Sequence, residues 1–115
     1  MVDAQTTDDL TALVQARLAP LHTISSDERL ADWLPCLQVS TYATEAGRHV
    51  TVICWHTGRR KAEEGAEAIF RLLNGWYPPG PWHRLTARIC GSCEPAGLGR
   101  AWARVDADTR WEGGA

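Results

Sequence analysis

Few residues in this chain have the types and spacing to do chemistry. Cys90 and Cys93 form a CxxC pair, a spacing that serves either as half of a zinc site or as a redox couple. A zinc cluster needs two more ligands. There is no second CxxC and no closely spaced His pair, so His56 and His83 contribute only by folding nearby. A redox CxxC opens a helix whose dipole lowers the thiol pKa, whereas Gly91, Pro95 and Gly97 predict a loop. Cys36 and Cys54 fall in predicted strands, where a thiol is a small buried hydrophobe. His22, His49, His56 and His83 share no helical or strand register. Trp55-His56 beside Arg59 and Arg60 is the most enzyme-like corner, and an isolated His at a strand end reads first as a structural hydrogen-bonding residue. The chain has no GxSxG, Gly-rich phosphate loop, HExxH or spaced carboxylate pair in an apolar setting. The expectation is a protein with no catalytic set, metal or cofactor, the alternative being a thiol or zinc protein using Cys90 and Cys93.

The elements that position these residues centre on His49–Gly75. Val50-Thr51-Val52-Ile53-Cys54-Trp55 is a run of branched and aromatic side chains suited to a strand. Thr57 and Gly58 break it, and the period changes from two to 3.6. Ala62, Ala66, Ile69, Phe70 and Leu73 line one helix face; Arg59, Arg60, Lys61, Glu63, Glu64, Glu67 and Arg71 take the other. Gly75 after Asn74 predicts a left-handed cap, and Pro78 and Pro79 stop any continuation.

Upstream, Thr6-Thr7-Asp8-Asp9 fits a capping box that opens a helix with a Leu10, Leu13, Val14, Leu18 stripe, ended by Pro20. A polar connection from His22 to Trp33 includes a possible helical turn at Ser25–Leu30. Pro35 introduces a strand, Cys36–Ala43, with Leu37 and Val39 on one side and Gln38 and Ser40 on the other. Thr44–Gly47 is the turn of a hairpin into the central strand. Downstream, Gly75–Pro81 is a loop in which Trp76, Tyr77 and Trp82 surround three prolines, a satellite core or a contact surface. His83–Cys90 alternates Leu85, Ala87 and Ile89 against Arg84, Thr86 and Arg88. After a Gly91–Gly99 loop comes the clearest alternation of all: Ala101, Ala103, Val105, Ala107 and Thr109 against Trp102, Arg104, Asp106, Asp108 and Arg110. Glu112–Ala115 reads as a tail.

The order is α-β-β-α-β-β, an α+β fold. It predicts a four-stranded, mainly antiparallel sheet with two helices packed on one face and a polar opposite face. The 115 residues suffice for one domain, 1–115. Twelve basic against fourteen acidic side chains give no sequence-wide pull toward nucleic acid or anionic membrane. Nor is there a stacking platform set in a basic stretch for single-stranded nucleic acid. No signal peptide or membrane-length apolar run is present, so the expected site of synthesis and residence is the cytoplasm. The polar sheet face is striped by Arg84, Arg88, Arg104, Asp106, Asp108 and Arg110. Interleaved signs suit a solvated face or self-complementary contacts between copies.

The order of elements, the DDLTALVQARLAPL helix, the WLPCLQVS entry and VTVICWHTGRRKAEEGAEAIFRLLNG resemble the tail terminator (tail completion) proteins of long-tailed bacteriophages and phage-like particles. In that family a VxVxxW strand precedes one or two basic residues and an Ala-rich helix ending in LL-x-G. A final strand closes with alternating charges, as GRAWARVDADTRW does here. The resemblance covers roughly residues 8 to 112; the Gly75–Trp82 and Cys90–Cys93 loops depart from it. It implies a structural virion protein of the tail neck, made in the host bacterial cytoplasm. Such a protein forms a homohexameric ring that ends the tail tube and joins it to the head-side connector. The implied partners are further copies of the chain, the tail tube protein and the head–tail connector or head-closure protein. DNA only passes through the lumen, and no membrane, cofactor or enzymatic activity is implied. The expected interface residues are Arg84, Arg88, Arg104, Asp106, Asp108 and Arg110, with Trp76, Tyr77 and Trp82. A small partner-binding or inhibitor module with a patch at Trp76, Tyr77 and Trp82 is the rival reading.

Overall fold

The computed structural model describes residues 2–21, 23–24 and 34–110. The elements are α1 (Val2–Leu18), β1 (Thr23–Ile24), β2 (Cys36–Ala43), β3 (Gly47–His56), α2 (Arg59–Leu73), β4 (Thr86–Cys93) and β5 (Ala101–Arg110). The expected α-β-β-α-β-β order and α+β class are present. One strand is added: the two-residue β1, parallel to the start of β2, extends the sheet to the order β1-β2-β3-β5-β4. The remaining pairs are antiparallel. β5 therefore inserts between β3 and β4, which run parallel to one another, and α2 is the crossover that spans the gap.

Alternation decides which side chains meet the helices. Leu37, Val50, Val52, Cys54, Leu85, Ala87, Ala101, Ala103, Val105 and Ala107 point to the helix side and are buried. Against them lie Leu10, Val14 and Leu18 of α1, one turn apart, and Ala62, Gly65, Ala66, Ile69 and Leu73 of α2. Phe70 and Leu13 pack only partly at the margin of this core. Asn74 and Gly75 end α2 as anticipated, with Gly75 at φ 81°. The Gly75 N–H donates to Leu85 O at 2.8 Å, and the Leu85 N–H donates to Trp76 O at 2.9 Å, closing the neck of the loop between them. Arg17 reaches from α1 to the carbonyl of Leu72 at 3.0 Å, in the last turn of α2, and lies over the Trp76 ring at 5.2 Å.

Several expectations are corrected. α1 begins at Val2, so Thr6 lies inside the helix and is not its cap. β4 begins at Thr86 and runs through Cys93, so the CxxC sits in a strand. A bulge between Ile89 and Gly91 breaks the period of two there, which is why the sequence reads as a loop. Ile89 remains on the helix side opposite Val105, but α2 does not reach far enough to cover it and it is 48% exposed. The Ser25–Leu30 turn and the Glu112–Ala115 tail lie outside the described residues.

Gly47 has a specific reason to be glycine. A Cβ there would collide with the carbonyl oxygen of Thr109, because the start of β3 runs tight against β5.

Burial ranks the core substitutions. Leu73→Ala and Ile69→Ala, both at fully buried positions, should each cost about 2–5 kcal/mol. Ile89→Ala should cost less than about 1 kcal/mol. Denaturant titration of the three variants checks the order; an Ile89 variant as damaged as the Leu73 variant would refute this packing.

Candidate functional site

The sheet face opposite the helices carries the polar groups. β3 contributes His49, Thr51, Ile53 and Trp55 to it. By register these lie beside Asp108, Asp106, Arg104 and Trp102 of β5, and beside Tyr42, Ser40, Gln38 and Cys36 of β2. On the far side Arg88 of β4 faces Asp106.

The face divides into two halves. One is an ion-pair network around His49, which is buried although no helix lies over it. His49 Nδ1 lies 2.7 Å from Asp108 Oδ1. His49 Nε2 lies 3.2 Å from Asp106 Oδ2 but without the alignment of a hydrogen bond. An imidazole between two carboxylates offers a proton to each only when both ring nitrogens are protonated. Arg104 donates to both oxygens of Asp106, at 2.7 and 3.0 Å, a bidentate fork. Arg88 donates to Asp108 Oδ2 at 2.8 Å and lies 3.9 Å from Asp106. The Tyr42 ring covers His49, with centroids 4.8 Å apart.

Burial works to raise the Asp106 carboxyl pKa, but the Arg104 hydrogen bonds and charge, helped by the Cys90 thiol and His49, outweigh it and hold the carboxyl below its ordinary value. Asp108 shows the same contest: burial raises it, and the hydrogen bonds from Arg88 and His49 bring it below.

The other half is aromatic and apolar. Trp55 and Trp102 are direct cross-strand neighbours, Ile53 lies beside them, and all three are partly exposed. The Trp55 indole N–H donates to Gln38 Oε1 at 3.1 Å, so its polar atom is satisfied while its ring faces outward.

The anticipated site residues therefore separate. Arg88, Arg104, Asp106 and Asp108 do come together on the open face, but they pair with one another and with His49. Asp106 is only 5% exposed, so it is not an interface residue as expected: its charge is consumed within the chain. Trp82 is also corrected. It is buried in the main core, because the closed neck of its loop turns the ring inward. Trp76 packs partly on the same core, whereas Tyr77 is 62% exposed. Arg84 and Arg110 are exposed at one end of the sheet.

His49 was not singled out by sequence reasoning. Its partner is 59 positions away, and only the β3–β5 register brings the two together. The signal available was its place on the same strand face as Thr51, Ile53 and Trp55.

The contacts of the Trp55-His56 corner are structural. His56 Nδ1 accepts the Thr57 N–H at 2.8 Å. Arg59 donates to Ser92 Oγ at 3.0 Å, and Ser92 donates to Glu63 at 2.8 Å. The α2 N-terminus has no side-chain cap from Gly58. Glu94, just past the CxxC, supplies the anion there by accepting the Arg59 N–H at 2.9 Å. Cys36 and Cys54 are buried, and Cys90 and Cys93 are exposed. Burial, with Cys36 nearby, pushes the Cys54 thiol up to about 11. Among the described residues no three His, Cys, Asp or Glu are grouped to hold a metal ion, and no helix is long and apolar enough to cross a membrane. The chain matches no protein-family model and no curated protein sequence.

The network makes stability fall in acid. A carboxylate held below its ordinary value stabilises the fold fully above the unfolded-state value of about 3.9, and the contribution is lost as pH falls through the folded-state value. The melting temperature should drop steeply below about pH 4, and Asp106→Asn should flatten that acid limb. Near pH 7, Asp106→Ala should cost roughly 1–3 kcal/mol by leaving the buried His49 and the Arg104 fork without their carboxylate. The half-exposed Asp108→Ala should cost less, within about 1 kcal/mol. An unchanged acid limb in Asp106→Asn would refute this assignment.

Thiol labelling provides a second check. Iodoacetamide should modify Cys90 and Cys93 in the native protein and reach Cys36 and Cys54 only after unfolding. Cys90→Ser with Cys93→Ser should shift stability by no more than about 0.5 kcal/mol. Mass mapping of the labelled sites, with a melt of the double variant, tests both statements.

Proposed function

We propose that this chain is a structural, ring-forming subunit of the tail terminator type. In this reading it is a homohexamer in the virion neck that closes the tail tube and offers a surface to the head-side connector. The observation that carries the proposal is the sheet face that, among the described residues, no helix covers. Ion pairs link its strands, and it displays Trp55, Trp102, Ile53 and the 55% exposed Tyr42. Aromatic groups beside satisfied charges on a strand-borne surface are what a protein–protein contact uses. The sequence resemblance over residues 8 to 112 supplies the particular assembly.

A closed ring needs two different patches on each copy, one complementary to the other. The aromatic half of the open face is one. The second is the groove of about 330 Å³ between α2 and the outer edge of β4, where Ile89 is exposed beside Glu63 and Glu67. The charged half of the face, with its signs paired in the subunit, suits a lumen wall that DNA passes without being gripped. No catalytic step is assigned to any residue.

The chain should assemble into a hexamer, alone or once a tail tube protein of the same phage is added. Trp102→Glu should shift it to monomer with an unchanged circular dichroism spectrum. Native mass spectrometry and light scattering provide the readout. A wild-type chain that stays monomeric in both conditions overturns the proposal, and one that binds an unrelated partner as a monomer replaces it with a binding-module function.

A further inference from the structure

At the end of the sheet where β2 turns into β3, a groove of about 800 Å³ opens against the β4–β5 pair. Its walls hold Arg48, Arg84 and Arg110, with Tyr77 and the Thr44 and Thr86 hydroxyls between them. No stretch of sequence is basic here; the three guanidiniums come from three separate segments. His83 donates its backbone N–H to Arg110 O at 3.0 Å, which fixes the neighbouring Arg84 close to Arg110.

Among the described residues the charges of Arg84 and Arg110 are not balanced from within this groove. Asp108 is, among the described residues, the one carboxylate in its lining, and both its oxygens are already engaged, one by His49 and the other by Arg88. The Arg84 and Arg110 guanidiniums have no hydrogen-bond or ion-pair partner among the described residues. Like charges held along one wall repel, and an anion between them removes that repulsion. Arginine forks match phosphate oxygens two at a time, and threonine hydroxyls add donors. An exposed tyrosine ring offers a flat surface to a base.

We infer that this groove binds the phosphate of a nucleotide-sized ligand, with Arg84 and Arg110 as its principal anchors and Tyr77 beside the attached ring. The shared chemistry is a phosphate carried on a nucleoside, either free or within a single strand. Arg48 lies on the same wall. The site lies wholly within one copy of the chain and stands apart from the ring assembly proposed above.

The test is a titration of the full-length chain, in whatever oligomeric state it adopts, followed by NMR amide shifts and calorimetry. The probes are 5′-AMP, pyrophosphate, adenosine and a six-residue oligothymidylate. Saturable binding of AMP or of the oligonucleotide is expected, with shifts at Thr44, Tyr77, Arg84, Thr86 and Arg110, and weakening as salt rises. Arg84→Ala with Arg110→Ala should reduce that affinity at least tenfold while circular dichroism stays unchanged; the exposure of both side chains makes a folding defect unexpected. Arg84→Lys with Arg110→Lys should restore part of it and serves as a second variant if the alanine pair is unstable. Oligonucleotide binding tenfold tighter than AMP assigns the ligand to a strand, and equal affinity assigns it to the free nucleotide; either supports the inference. Adenosine binding as well as AMP, shifts that persist in the double variant, or no binding by any phosphate probe would overturn it.

Discussion

The fold depends on how closely α2 can approach β5. β5 presents Ala101, Ala103 and Ala107 to the helices, and α2 answers with Ala62, Gly65 and Ala66, all buried. Small side chains on both surfaces let the helix settle deep, and α2 contacts β5 more than any other strand. Larger residues then close the ends: Ile69 and Leu73 on one layer, and Leu37, Val50, Val52 and Val105 on the other. Because β5 lies between β3 and β4, seating the helix on it also holds the two parallel strands that the crossover joins. Larger side chains along this seam would lift the helix and open the whole core, not one contact.

The opposite face obeys a different constraint. With no second layer over it among the described residues, its charges are satisfied in the plane of the sheet. Cross-strand register does this, placing His49 between two carboxylates and each carboxylate under a guanidinium. Such a network contributes less net energy than its short distances suggest, since its groups give up water to form it. Its larger effect is to fix rotamers on an open surface, which leaves the neighbouring tryptophans rigidly displayed. Rigid aromatic groups lose little entropy on meeting a partner, which links the network to the assembly proposed for this face.

Much of this was legible in the residues. The period of two in Ala101–Arg110 defined β5 to the residue, and the switch of period after Trp55 located α2. The Leu10, Val14, Leu18 stripe gave the buried side of α1. What could not be read locally was whatever depends on pairing. The Arg and Asp stripe was visible, but its self-pairing was not, because alternation reports a face and not its neighbours. His49 gained a role only from the strand beside it. Cys90 shows a second kind of failure: one extra residue in a bulge broke the alternation, so Gly91 read as a loop inside a continuing strand. Trp82 shows a third, since a Pro- and Gly-rich composition signals a turn but not the direction in which its aromatic rings point.

The tight passage of Gly47 beneath the Thr109 carbonyl has a consequence for how the chain finds its pairing. Sliding β3 along β5 by one residue would carry Arg48 or Ala46 to the place where only a hydrogen atom fits. The same slide would turn Val50 and Val52 outward and His49 into the hydrocarbon interior. Two independent penalties thus fall on the same error, one steric and local, the other spread along the whole ladder. A single glycine at the hairpin's mouth acts as a mechanical stop that defines zero on the scale by which every later cross-strand neighbour is counted.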